Sequence, residues 1–212
     1  MAYEFPSRNI REEYEHLPTE VIRDTVKENS LPYAVLALNV HSSLNIGNML
    51  RTAHLCGCRK FVIFGRRHYD KRSAVGVMNY LDIERVEGLA NPSLDLTTQL
   101  TDADYIFDPE IFVNYIETNH YLPIFVEQDP GQSIPADFSN IRKIMVESQT
   151  IDRTPIFIFG NEHFGIPANL LATRTRFSKY YTLELNQMGA LQSYNVSNTC
   201  AIICYLILLS HQ

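Results

Sequence analysis

The sequence predicts an α/β domain, a mainly parallel sheet flanked by helices, over residues 31–212, behind an N-terminal extension of residues 1–30. Three observations predict it. Apolar runs of strand length recur at Tyr33–Leu38, Lys60–Gly65, Leu122–Val126 and Pro155–Phe159. Stretches with helical spacing separate them, the alternation from which parallel sheets are built. Gly, Asn, Ser and charge concentrate just after several of these runs, where a parallel sheet gathers its ligand-binding loops.

The elements follow in order. Residues 1–30 are polar and acidic, with weak helical signal over Thr19–Asn29, and read as a segment outside the core. Pro32 precedes the first strand. Asn45 is expected to cap the next helix, with Ile46, Met49, Leu50 and Ala53 on one face and Gly57 as its stop. Leu81–Val86 is a weaker strand candidate, and Asp108–Asn119 is a helix opening on Asp-Pro-Glu. Asp129–Pro135 reads as loop, and Ile141–Val146 fits either type. After Gly160 come a short helix over residues 167–173, a strand over Lys179–Leu185, and a final helix. That helix is so apolar from Cys200 to Leu209 that burial on most faces is expected.

Composition narrows the class. A chain of 212 residues, 45% hydrophobic and 20% charged, is an ordinary globular protein that fits one large domain or a domain with a short extension. No apolar run is long enough for a bilayer, and the N-terminus carries no targeting pattern, so a cytoplasmic protein is expected. Four cysteines are too few for a disulfide scaffold. Neither Cys56 and Cys58 nor Cys200 and Cys204 has a matching second pair, so buried thiols are expected and no metal.

The net charge of −6 argues against a simple nucleic-acid binder, but the charge is lopsided. From Arg51 to Arg72 seven basic residues (Arg51, Arg59, Lys60, Arg66, Arg67, Lys71, Arg72) stand against Asp70 alone. From Asp82 to Asp137 there are twelve acids and only Arg85. A focused basic region beside an acidic one suits a polyanion held at one place.

Three loops carry candidate chemistry: Asn45-x-Gly47-Asn48-x-x-Arg51, Gly160-Asn161-Glu162-His163-Phe164-Gly165-Ile166-Pro167, and Gly189 to Ser197. Walker A, the dinucleotide-binding glycine fingerprint, H-E-x-x-H and G-x-S-x-G are all absent. Taken singly, Gly160-x-Glu162-x-x-Gly165 is an ordinary tight turn and Arg51 an ordinary surface charge. In this order the three loops resemble the SpoU/TrmH family of RNA ribose 2′-O-methyltransferases, of the SPOUT class. Asn45, Gly47, Arg51 and Ala53 match its first motif, and Gly160, Glu162, Gly165 and Pro167 its second. Ser193-Tyr194-Asn195-Val196-Ser197 matches its third, with Tyr194 in place of the usual Leu. Asn186-Gln187 stand where the family commonly has Pro-Met.

The resemblance covers about Leu31 to Leu209. It implies a C-terminal trefoil knot, which periodicity does not reveal, and a homodimer packed through the knot and last helix. It implies S-adenosylmethionine as cosubstrate, contacted by Gly160, Leu185 and Tyr194, and RNA, tRNA ahead of rRNA, as acceptor. Arg51 takes the family's catalytic position, supported by Asn45, Glu162, Ser193 and Asn195. Arg59, Lys60, Arg66, Arg67, Lys71 and Arg72 are expected to form a basic track leading to Arg51. Two other readings compete: a non-catalytic RNA-binding protein on the same fold, and an α/β enzyme acting on a small molecule.

Overall fold

The apolar runs are strands because most of their residues are buried on both sides of one sheet. The computed structural model describes residues 9–65, 68–88 and 107–212. Its strands are β1 (Leu31–Leu38), β2 (Cys58–Phe64), β3 (Asp82–Val86), β4 (Tyr121–Val126), β5 (Ile134–Pro135), β6 (Thr154–Phe159) and β7 (Tyr181–Glu184). All pairings are parallel, in the order β3-β2-β1-β6-β4-β7-β5. The helices are α1 (Thr19–Glu28), α2 (Ser43–Leu55), α3 (Lys71–Ala74), α4 (Pro109–Thr118), α5 (Phe138–Thr150), α6 (Ala168–Leu171) and α7 (Val196–Ser210).

Alternation along β1 shows the layering. Tyr33, Val35 and Ala37 join one core with Met49 and Leu50 of α2, Ile144 of α5 and Ile203 of α7. Ala34, Leu36 and Leu38 join the opposite core with Phe112 and Ile116 of α4 and Leu170 of α6. Successive strand residues point to opposite faces, so a strand covered on both sides must be apolar throughout.

Several expectations change. The cap of α2 is Ser42, whose hydroxyl accepts from the Asn45 N–H at 3.4 Å, not Asn45. Ser42 has the extended backbone that a cap needs, and this leaves Asn45 in the first turn with its amide available for long-range bonding. Residues 141–146 are helical, inside α5, which Asp137 caps through the Asn140 N–H. The loop after Asp129 ends in β5, a short edge strand on β7. The N-terminal helix, read as a segment outside the core, packs on the domain: Ile22 is buried, and the Arg23 Nε donates to the Asn79 carbonyl at 2.8 Å.

The last helix is covered on most of its faces, as its composition suggests, with two exposed positions between Cys200 and Leu209. Cys200, Ile203, Cys204 and Ile207 are buried against α2 and α5, while Ile202 and Tyr205 are 38% and 56% exposed. All four cysteines are free and buried in this core, where Tyr33 donates to the Cys56 carbonyl at 3.1 Å. Burial pushes the Cys56 thiol up to about 11 and Cys58 well above its ordinary value, so both are thiols at neutral pH.

Candidate functional site: three loops at one sheet edge

β1 and β6 are neighbours, and β4 lies between β6 and β7. Because all run in parallel, the loops after Leu38, Phe159 and Glu184 emerge at the same edge. Glu162 ties two of them. Its carboxylate accepts from the His41 N–H at 2.6 Å, the Ser42 N–H at 3.0 Å and the Asn45 Nδ2 at 2.7 Å. Burial alone would raise its pKa, but the bonds from Asn45, Ser42 and His41 outweigh that and hold it below the ordinary carboxylate value. These donors lie at the start of α2, where a negative charge is also favoured by the helix terminus.

Asn45 passes the connection on. Its Oδ1 accepts from the Asn195 Nδ2 at 3.3 Å, so the third loop joins the first through two amides. The other end of Asn195 caps α7, accepting from the Ser197 N–H at 2.9 Å and the Ser197 hydroxyl at 2.6 Å. Both ends of Asn195 are therefore engaged in holding the loops.

Glycine is required in the second loop for close approach. A Cβ on Gly160 would lie 2.2 Å from the carbonyl carbon of Gly165. Asn161 and Gly165 exchange backbone hydrogen bonds of 2.9 Å, closing the turn, and Gly165 has the left-handed φ of 63° that permits it. A Cβ on Gly47 would lie 1.8 Å from the Ser73 hydroxyl, so Gly47 lets α3 pack on α2. In the third loop Leu185 is half-buried, Ser193 is exposed, and the Tyr194 hydroxyl donates to the Asn186 carbonyl at 3.2 Å. Met188 and Leu191 stand out in solvent.

Arg51 lies six residues past Asn45 on α2, about 9 Å along the axis. It is exposed and has no ion-pair partner among the described residues.

The profile of the SpoU rRNA Methylase family matches residues 32–205. The chain belongs to that family. No curated sequence relative matches it. Solved structures similar in fold include the A. aeolicus TrmH/SpoU tRNA modifying enzyme, at 17% identity and a TM-score of 0.62 over 91% of this chain and 82% of that one. The SpoU methyltransferase AviRb from Streptomyces viridochromogenes, in complex with AdoMet, is 19% identical at a TM-score of 0.58, over 86% of this chain and 61% of that one. An RNA 2′-O ribose methyltransferase is 17% identical at a TM-score of 0.58, over 86% of this chain and 57% of that one. The chain thus spans about three fifths of the last two.

In this SpoU protein the expected basic track is divided. Arg66 and Arg67 lie outside the described residues. Lys71 and Arg72 sit on α3, against α2, with Arg72 paired to Asp70 at 2.7 Å. Arg59 and Lys60 begin β2, so they lie at the opposite edge from the three loops, about 20 Å away along the strands. Lys60 is paired there with Glu84 at 2.9 Å and Asp82 at 3.5 Å.

Sequence reasoning assigned no role to four further residues at the site. Buried Asn161 donates to the Asn39 carbonyl and accepts from the His163 N–H, both at 2.9 Å, locking the second loop to β1. Glu127, directly after β4, accepts from the Ile166 N–H at 2.8 Å and supports the same loop from the other side. His41 and His163 meet edge-to-face at 5.4 Å beside Glu162. An acid at a strand's C-terminal end was the available signal for Glu127; for the histidine pair there was none, since their meeting depends on β1 pairing with β6.

Proposed function

We propose that this protein transfers a methyl group from S-adenosylmethionine to a ribose 2′-hydroxyl of a structured RNA, tRNA ahead of rRNA. The observation that carries the reading is the Glu162–Asn45–Asn195 connection, which joins all three motif loops at one sheet edge.

The residues present suit the methyl donor. Gly160 has no room for a side chain, and Leu185 offers apolar surface beside the exposed backbone of the third loop. Gly160, Leu185 and Tyr194 would hold the donor, which when bound supplies an already activated methyl group. The protein's own task is positioning and proton management. Arg51 is permanently charged, so its assigned role is to clamp the phosphate beside the target ribose and stabilise the oxygen as its proton leaves. Glu162 and Asn45 place the start of α2. Ser193, exposed in the third loop, is assigned to the hydroxyl, and Asn195 to loop geometry. Lys71 and Arg72 are assigned to RNA phosphates near this edge.

The reading includes the knot and a homodimer through α7, in a reducing cytoplasm. The dimer is supported by the exposed Ile202 and Tyr205. A charge at Ile202 is expected to give folded monomer in sedimentation, whereas one at buried Ile203 should unfold the chain, at a cost of about 4 kcal/mol. A wild-type monomer at low micromolar concentration would remove the dimer from the reading.

The deciding experiment incubates the protein with labelled S-adenosylmethionine and total RNA, then maps the modified positions by resistance to alkaline cleavage. Methyl label on a base, or none on any RNA, would overturn the reading.

A further inference from the structure

We propose that a groove at the opposite edge of the sheet is a second RNA-contact site, holding a single-stranded segment of the RNA. The proposal takes from the preceding section only that the partner is RNA.

The groove encloses about 810 Å³, the size range of a ligand site rather than a surface dimple. Its walls are the first residues of several strands, β3 as far as Arg85, and part of α1. Arg23 and Lys27 of α1, Arg59 and Lys60 of β2, and Arg85 of β3 line it, against Asp82 as the one acid among the lining residues. Lys60 is neutralised by Glu84 and Asp82, so the charges assigned to a ligand are Arg23, Lys27 and Arg59. Two are held in place by single bonds. The Arg23 Nε donates to the Asn79 carbonyl at 2.8 Å, and the Arg59 Nε to the Ser30 hydroxyl at 3.2 Å. Each bond uses one of five guanidinium N–H groups.

Aromatic faces stand among these charges. The Arg85 guanidinium lies 5.5 Å over the Tyr69 ring. Tyr80 is stacked on His54 at 6.1 Å with the planes 24° apart, and burial lowers the pKa of His54, favouring the neutral ring. Cations tracking a backbone with aromatic platforms between them are what unpaired nucleotides bind. An acidic peptide would satisfy the cations and leave the rings without a role.

The groove also leads toward the methyl-transfer loops. Tyr69 lines it, and the next residue, Asp70, donates its N–H to the Ser43 carbonyl at 3.0 Å. Ser43 opens α2, the turn that carries Asn45. An RNA strand running along β3 would thus pass from the groove to Lys71 and on to the site. The N-terminal helix, outside the residues matched by the family profile, supplies one wall.

The test compares two double variants of the full chain. Lys27→Ala with Arg59→Ala removes two groove charges, and Arg142→Ala with Lys143→Ala removes two exposed charges from α5. Both are checked for unchanged circular dichroism. Binding of a short labelled oligouridylate is measured against salt, with oligoglutamate as competitor. The groove pair is expected to weaken binding about tenfold and to flatten the log–log salt slope by about 1.4, two contacts at about 0.7 each. The α5 pair should leave both near wild type, and oligoglutamate should compete poorly. Equal loss in the two pairs, an unchanged slope in the groove pair, or efficient displacement by oligoglutamate would each overturn the proposal. Methyl transfer to total RNA is followed in parallel. If wild type methylates RNA and the groove pair binds normally, the groove fails alone. If oligouridylate binding depends on the groove but wild type methylates no RNA, the methyltransferase reading fails and the groove stands.

Discussion

The two edges of the sheet are built on different physical plans. At the C-terminal edge, a half-buried carboxylate collects three donors and links loops more than a hundred residues apart. At the N-terminal edge, the charges are mostly exposed, and the ion pairs of Lys60 join neighbouring strands. The first plan suits chemistry, where an error of an ångström is costly. The second suits electrostatic capture, which tolerates mobile side chains because Coulomb attraction falls off slowly with distance. A polar network that is shielded from water is also the one whose removal is felt.

Three substitutions sharpen that contrast. Arg51→Ala should have the largest effect, lowering turnover about 100- to 1,000-fold, the range for removing one donor from a developing oxyanion. Calorimetry should find S-adenosylmethionine binding unchanged, because the donor contacts assigned here come from the second and third loops. Wild-type turnover in this variant would take Arg51 out of the chemistry.

Glu162→Gln comes next. A neutral amide accepts more weakly and brings unwanted donors against the Asn45 amide, so a loss of about 1–2 kcal/mol in thermal unfolding is expected. The pH dependence has a definite sign. The carboxyl has a folded pKa below its ordinary 4.5, so its contribution is complete above that value and disappears as pH falls through the folded pKa. Wild type and variant should therefore converge in stability in acid and diverge toward neutral pH. A constant gap across the range would mean that Glu162 acts through packing and not through its charge.

Lys60→Ala should be the mildest. The pair with Glu84 is partly exposed, and such pairs contribute at most about 1 kcal/mol. Urea unfolding should show a shift within that limit. A larger shift would mean that the N-terminal edge is also a preorganised network, and the contrast between the edges would be lost.

Much of this was legible in the chain itself. The strands announce themselves because a sheet covered on both faces admits only apolar residues at Tyr33–Leu38 and Pro155–Phe159. Asn45, Glu162 and Asn195 were legible as a set, since their types and order resemble the SpoU family's motifs, and hydrogen bonds join them in the fold. Short-range effects misled at the start of α2. Asn45 is as good a capping residue as Ser42, and only the backbone at Ser42 decides between them. The composition of α7 pointed to burial on most faces, as observed, but composition does not say that Ile202 and Tyr205 are the positions left exposed.

The basic cluster shows most clearly what sequence could not decide. Arg51, Arg59, Lys60, Lys71 and Arg72 are close along the chain, yet a strand carries the chain about 3.3 Å per residue across the domain. β2 therefore separates Lys60 from Lys71 and leaves them at opposite edges, while β1 beside β6 brings Ser42 to Glu162 from 120 residues away. Residue type and local spacing set which groups the protein has for its chemistry. Which of them meet is set by strand order, because the partners are chosen by sheet pairing and core burial rather than by neighbours in sequence.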